Sequence, residues 1–154
     1  MQHGDDHLDP QAQLRSVGLR VTAPRVAVLN AVAAQPHSDA DGVAAAVRRE
    51  LGSVSTQAVY DVLRACVNAG ILRRIEPAGS PARFETRTGD NHHHLVCRGC
   101  GLVVDVDCVV GHAPCLQPSD PHGFAIDEAE VVFWGLCERC RAAGDPRPEP
   151  TAPR

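Results

Sequence analysis

Two CxxC pairs, Cys97-Arg98-Gly99-Cys100 and Cys137-Glu138-Arg139-Cys140, are separated only by residues 101–136, and this spacing constrains the chain more than any other feature. Each pair sets two sulfurs on one tight turn, so two turns can close a tetrahedron around Zn²⁺ with bonds of about 2.3 Å and no position left for water. A closed site of this kind is structural. Four thiolates on one dication leave a charge of about −2, and Arg98, Arg139 and Arg141 stand near enough in sequence to offset it. Disulfides or a lone redox CxxC are the competing uses of these cysteines. Seven cysteines, an odd number, without a secretory leader fit reduced, metal-binding thiols better.

At 154 residues the chain allows one ordinary domain or two small ones, and a small piece gains from a metal clip because its apolar core is limited. No apolar run is long enough to span a membrane, so a cytoplasmic protein with no membrane contact is expected. The net charge of −4 hides a split: residues 1–9 carry −3, residues 10–84 carry +4 and residues 85–154 carry −5. A basic first half beside an acidic, Cys/His-rich second half reads as two modules with different partners, although solvated surface alone could produce the same split.

The first half has a helical pattern. Residues 10–17 can form a short helix. Thr22 can cap a second, with Pro24 tolerated in its first turn. Ser38 or Asp39 can cap a third that runs to Leu51 and stops at Gly52. Ser55 can cap a fourth, in which Val59, Val62, Leu63, Cys66 and Val67 fall on one face and Gly70 ends the run. Two short runs, 71–75 and 82–85, then read as a hairpin across a Gly/Pro turn.

This order predicts a winged helix-turn-helix over residues 10–85. The fourth helix would enter a major groove, with Gln57 and Tyr60 at base edges, while Arg20, Arg25, Arg64 and Arg73 hold the backbone of double-stranded DNA. A small helical bundle with solvated arginines is the competing reading.

Residues 86–91 are polar and aperiodic and are expected to be a hinge. Residues 92–143 are expected to form a small α/β module: strand 92–97, a zinc turn, strand 101–106, an irregular stretch 107–122, a long strand 123–135 and the second zinc turn. Residues 1–9 and 144–154 are expected to be mobile tails. The fold class is therefore α+β.

Strand alternation sends His92 and His94 to one face and Cys97 to the other, so the imidazoles serve a different site from the thiolates. A turn centred on Arg98-Gly99 would pair Cys97 with Cys100 and His92 with Asp105, and residues so opposed share a face. Two imidazoles and a carboxylate suit Fe²⁺, Mn²⁺ or Zn²⁺ and poorly suit Cu⁺. An ion needing more ligands could recruit Glu85 and His37 from across the hinge, which would make binding a conformational switch. A solvated His run is the alternative.

The stretches Gly18-Leu19-Arg20-Val21-Thr22-Ala23-Pro24-Arg25, Ala58-Val59-Tyr60-Asp61-Val62-Leu63, Ala69-Gly70-Ile71-Leu72, Arg83-Phe84-Glu85, His92-His93-His94-Leu95-Val96-Cys97, Cys100-Gly101 and Gly135-Leu136-Cys137 with Cys140 resemble the ferric uptake regulator family. The likeness runs from about residue 12 to 141. It implies a homodimeric, metal-dependent transcriptional repressor that binds a DNA operator and is not an enzyme. In this reading Cys97, Cys100, Cys137 and Cys140 hold structural Zn²⁺. His37, Glu85, His92, His94 and Asp105 hold regulatory Fe²⁺ or Mn²⁺, for which Zn²⁺ can substitute.

Gly89 to His94, and Asp107-Cys108 to Cys115, look most like the peroxide-responsive (PerR-like) actinobacterial branch associated with catalase-peroxidase genes. Asp105 matches peroxide sensing and Glu85 matches iron sensing, so the resemblance leaves the signal as peroxide or iron. The family's optional third metal site would fall at Asn91, His93, His112 and Ala129, and Ala129 has no donor. Gly111, Pro114 and Pro118 interrupt what is usually a helix in relatives, and Asp61 stands where many carry a basic or amide residue.

Two other functional classes compete: a non-haem iron enzyme, since two His and a carboxylate also form such a centre, and a thiol-based redox sensor. Cys66 lies on the apolar stripe of the fourth helix and is expected in the core. Cys108 and Cys115 read as small apolar thiols, with a thiol switch or an added metal site as alternatives.

Overall fold

A computed structural model describes residues 9–144, which divide into two compact units with the break between Gly89 and Asp90. Apart from Asp9 and Gly144, the terminal segments expected to be mobile lie outside the described residues. The element mix is α+β.

The first unit begins with helices α1 (Pro10–Ser16) and α2 (Ala23–Ala34). A two-residue strand β1 (Ser38–Asp39) leads into α3 (Ala40–Leu51), and α4 (Thr56–Asn68) follows. Each of the three longer helices starts where a side-chain oxygen meets an otherwise unpaired N–H. Thr22 accepts from Arg25 N at 3.4 Å, Asp39 from Gly42 N at 2.8 Å and Ser55 from Ala58 N at 3.1 Å. Gly70 follows α4 at φ 78°, a left-handed conformation that costs glycine little.

Strands β2 (Arg73–Ile75) and β3 (Arg83–Glu85) form the expected hairpin, and β1 pairs with the other edge of β3 to give the order β1-β3-β2. The sequence reading did not anticipate β1, because two residues carry no periodicity and were absorbed into the cap of α3. The apolar faces close on one core that includes Leu14, Val28, Leu29, Val43, Val47, Val59, Leu63 and Phe84, with Cys66 fully buried among them.

The second unit is a three-stranded sheet in the order β5-β4-β6, with β4 (His92–Cys97) in the centre, β5 (Val103–Asp107) antiparallel to it and β6 (Val132–Gly135) parallel. A single-turn helix α5 (Glu138–Ala142) ends the described chain.

Two expectations are corrected here. The long strand over 123–135 is only four residues, and residues 108–131 form neither helix nor strand; Gly111, Pro114, Pro118 and Pro121 interrupt the stretch before 123, and Asp127, Glu128 and Glu130 are poor strand formers in the stretch after it. The β4–β5 register also differs from the expected one: His94, not His92, lies opposite Asp105, and His92 faces Asp107. The turn is wider than assumed, with Cys97 N bonded to Leu102 O at 2.9 Å and Gly101 at φ 75° closing it. A two-residue slip keeps every side chain on its face, so the predicted convergence survives the wrong register.

Candidate metal centres and nucleic-acid face

The sulfurs of Cys97, Cys100, Cys137 and Cys140 all lie within 4.8 Å of one another. The parallel pairing of β4 with β6 brings them together: Cys97 sits beside Gly135, and Arg98 N donates to Gly135 O at 2.8 Å. Cys137 then starts α5, which places Cys140 one turn on. Cys100 Sγ and Cys137 Sγ are 3.7 Å apart. That is far beyond a disulfide bond of about 2.05 Å, and close to the edge of about 3.8 Å expected for a tetrahedron with bonds of about 2.3 Å. No disulfide joins any of the seven cysteines.

The local field favours thiolates. The Cys97 thiol is drawn down to about 6, first by the backbone N–H of Cys137 and then by that of Cys100, against a smaller upward push from burial. Cys137 N meets Cys97 Sγ at 3.3 Å. Cys100 is held below its ordinary value chiefly by the backbone N–H of Leu102. Arg139 supplies the offsetting charge expected of it, and its own affinity for its proton is raised by its hydrogen bond to Cys100 and by the neighbouring sulfurs. Arg98 turns elsewhere, with its guanidinium 5.2 Å from the ring centre of Trp134. The donor set and its spacing fit Zn²⁺.

Within the second unit His92, His94 and Asp105 converge. Asp105 Oδ1 lies 3.3 Å from His94 Nε2 and 3.8 Å from His92 Nε2, both imidazoles are buried, and their ring centres are 5.0 Å apart. Asp90 is a residue the sequence reading missed. Its Oδ1 accepts from His92 Nδ1 at 2.7 Å, which fixes the tautomer and leaves on Nε2, the nitrogen towards Asp105, the lone pair that a metal ion would take. Only its position two residues upstream could have signalled this role.

Within the first unit His37 and Glu85 are paired, His37 Nε2 to Glu85 Oε2 at 3.0 Å, with Glu85 buried. His37 has φ 66°, an uncommon left-handed conformation for a side chain of this size. The β1–β3 pairing holds it there: His37 N donates to Phe84 O at 2.8 Å, and Arg83 Nη1 donates to His37 O at 3.2 Å.

The residues assigned to DNA also belong to the first unit. Tyr60 is 45% exposed on α4, beside exposed Gln57 and Arg64. Gln57 Nε2 donates to Asp61 Oδ1 at 2.9 Å and Arg64 pairs with Asp61, so Asp61 organises this face. An open groove of about 650 Å³ runs beside it, lined in part by Gln57, Tyr60, Arg64, Arg74 and Phe84. Arg25 Nη1 donates to Arg20 O at 2.7 Å. Arg73 is placed differently: its side chain is largely covered and its Nε lies 3.9 Å from Glu85 Oε1.

Comparison with known proteins gives one consistent result. The family model described as Ferric uptake regulator family matches residues 16–133. The Transcriptional regulator FurA of Mycobacterium tuberculosis is 58% identical over 142 residues, covering 92% of this chain and 97% of that protein. Ferric uptake regulation protein 1 of Mycolicibacterium fortuitum is 60% identical over 129 residues, covering 84% and 80% respectively. Among solved structures, the Vibrio cholerae ferric uptake regulator aligns with a TM-score of 0.65 at 25% identity, over 84% of this chain and 100% of that one. The Pseudomonas aeruginosa ferric uptake regulator with manganese aligns at 0.60 and 25% identity, over 84% and 98%.

Proposed function

Because this chain belongs to the ferric uptake regulator family, we propose that it is a metal-dependent DNA-binding repressor that acts as a cytoplasmic homodimer. It is a transcriptional regulator and not an enzyme. Among the described residues no helix is long and apolar enough to cross a membrane.

The observation that carries the reading is that each unit assembles its own set of nitrogen and carboxylate donors. His37 with Glu85 in one, and His92, His94 and Asp105 in the other, are imidazoles and carboxylates of the kind that Fe²⁺ and Mn²⁺ prefer, with Zn²⁺ able to substitute. We read the five as one regulatory ligand set, with donors drawn from each unit, so that occupancy and DNA affinity are linked and each reports on the other. A bound divalent ion would supply the positive centre that these carboxylates need. The chain's own contribution is orientation: Asp90 sets the His92 tautomer and β1 pairing sets His37. The four cysteines are read separately, as a structural Zn²⁺ site.

Residues 10–85 are read as the winged-helix DNA-binding domain, residues 86–91 as the hinge and residues 92–143 as the dimerisation and metal-sensing domain. Exposed Tyr60 and Gln57 on α4 support base contact, and Arg20, Arg25, Arg64 and Arg73 are the arginines assigned to the DNA backbone. Homodimerisation is supported by an apolar row across the second sheet. Val104, Leu95 and Phe133 are in register on three adjacent strands and are 42%, 44% and 51% exposed. Such a row is expected to be covered by another surface. The signal is read as peroxide or iron, acting on oxidative-stress (catalase-peroxidase) or iron-homeostasis genes.

The test is operator affinity of the zinc-retaining protein with Fe²⁺, Mn²⁺ or no added metal, before and after peroxide. Affinity that rises with Fe²⁺ or Mn²⁺ is expected. Affinity unchanged by the metal would end the proposal.

A further inference from the structure

His93 stands between the two regulatory histidines in sequence but on the opposite face of β4, in register with Val106. There it meets sulfur. Its Nε2 lies 3.2 Å from Cys115 Sγ, and the donor atoms of His93, Cys108 and Cys115 all lie within 4.8 Å of one another. Two hydrogen bonds of Asn91 hold the cluster: Cys108 N donates to Asn91 O at 3.2 Å just beyond β5, and the Asn91 side-chain Nδ2 donates to His112 O at 2.8 Å in the loop that returns to Cys115.

We propose that His93, Cys108 and Cys115 form a third metal site, selective for the soft monovalent cation Cu⁺. The donor chemistry separates it from the other two sites. Imidazole is common to both sets, but two thiolates make this one soft, whereas the carboxylate makes the set around Asp105 harder, and the four-cysteine cluster is complete with its own four ligands. Among the described residues the cluster has three donors and no carboxylate. Three is enough for a trigonal monovalent ion and one short of the tetrahedron that a structural Zn²⁺ takes. With bonds of about 2.3 Å, trigonal donors lie about 4 Å apart, which is inside the separation already present.

His93 is also not placed as an ordinary core histidine. It is buried, its Nδ1 has no hydrogen-bond partner, and only its sulfur-facing nitrogen is engaged. Binding is charge-balanced: Cu⁺ replaces the two thiol protons, which leave to solvent, and the complex carries one negative charge. No electron is transferred. The site is independent of the operator-binding proposal, since it shares no ligand with the regulatory set.

The experiment uses full-length, zinc-loaded protein, reduced and kept anaerobic, with Cu⁺ supplied against a competing Cu⁺ chelator. The expected result is one Cu⁺ per chain, a sulfur-to-copper absorption in the ultraviolet and full retention of zinc. Cys108→Ser and Cys115→Ser should each weaken Cu⁺ binding by about 100-fold or more, because two donors cannot complete the trigonal set. His93→Gln should weaken it without removing the absorption, and Cys66→Ala should leave it unchanged. Zinc content and circular dichroism check that each variant is folded. Release of one zinc per Cu⁺ bound, or wild-type Cu⁺ affinity in both serine variants, would overturn the assignment.

Discussion

Asp105 lies directly across the β4–β5 ladder from His94, with its Oδ1 3.3 Å from His94 Nε2 and 3.8 Å from His92 Nε2. One carboxylate on β5 thus addresses two imidazoles two residues apart on β4, which strand geometry allows because alternate side chains share a face. Removing it leaves two buried imidazoles without that shared anion. Asp105→Ala is expected to reduce the metal-induced gain in operator affinity by about 10- to 100-fold, with affinity in the absence of metal unchanged. Fluorescence anisotropy on a labelled operator, with and without Mn²⁺, measures both.

Asp90 acts one step back, through His92. Asp90→Asn keeps the shape but loses the charge that holds the proton on His92 Nδ1. Regulatory metal affinity should fall by about 10-fold or more, while saturating metal restores operator binding. If saturating metal does not restore it, Asp90 acts on folding or on DNA directly.

Zinc removal should act on residues 90–144 first. Their buried apolar side chains are few, chiefly Val96 and Val103 beside the proposed zinc ligands Cys97 and Cys140, and metal binding to such a small unit is largely folding free energy. Chelation, or Cys137→Ser, is expected to abolish cooperative unfolding of this unit while the helical signal of residues 9–89 persists. Circular dichroism with a parallel zinc assay tests it.

Three substitutions separate the roles proposed for the residues assigned to DNA. Tyr60→Ala should weaken cognate binding by about 1–3 kcal/mol and random-sequence binding much less; Arg20→Ala should weaken both and reduce the salt slope by about one. Arg73 lies beside buried Glu85 at 3.9 Å. Its replacement by Ala is therefore expected to change the salt slope less than the loss of Arg20 does. A salt slope that falls equally in both variants would restore Arg73 to a full phosphate contact.

The Val104–Leu95–Phe133 row leads to a prediction about assembly. An aspartate at its centre, Leu95→Asp, would have to be desolvated in any interface that covers it, a cost of several kcal/mol after relaxation. Sedimentation analysis should show a shift from dimer to monomer, with zinc content unchanged. Dimerisation at wild-type strength would place the interface elsewhere.

Much of the first unit was readable from local sequence. Thr22, Asp39, Ser55 and Gly70 mark helix ends through contacts spanning only a few residues, and the spacing of Val59, Leu63 and Cys66 identifies the buried face of α4. The CxxC spacing likewise determined each half of the four-sulfur cluster, because each half is built within one turn. What depends on distant partners was not readable. The wider turn at Gly101 set which residue faces Asp105, and parallel pairing of β4 with β6 brought Cys137 to Cys97.

The third cluster shows the same division most clearly. Cys108 and Cys115 are neighbours of His93 only because an irregular loop folds back over the face of β4. The sequence alone determined which residue types are available and which face of a helix or strand each occupies, since those follow from short-range periodicity and capping. Only the tertiary structure decided which of them meet, because strand register and loop path depend on contacts between residues far apart in the chain.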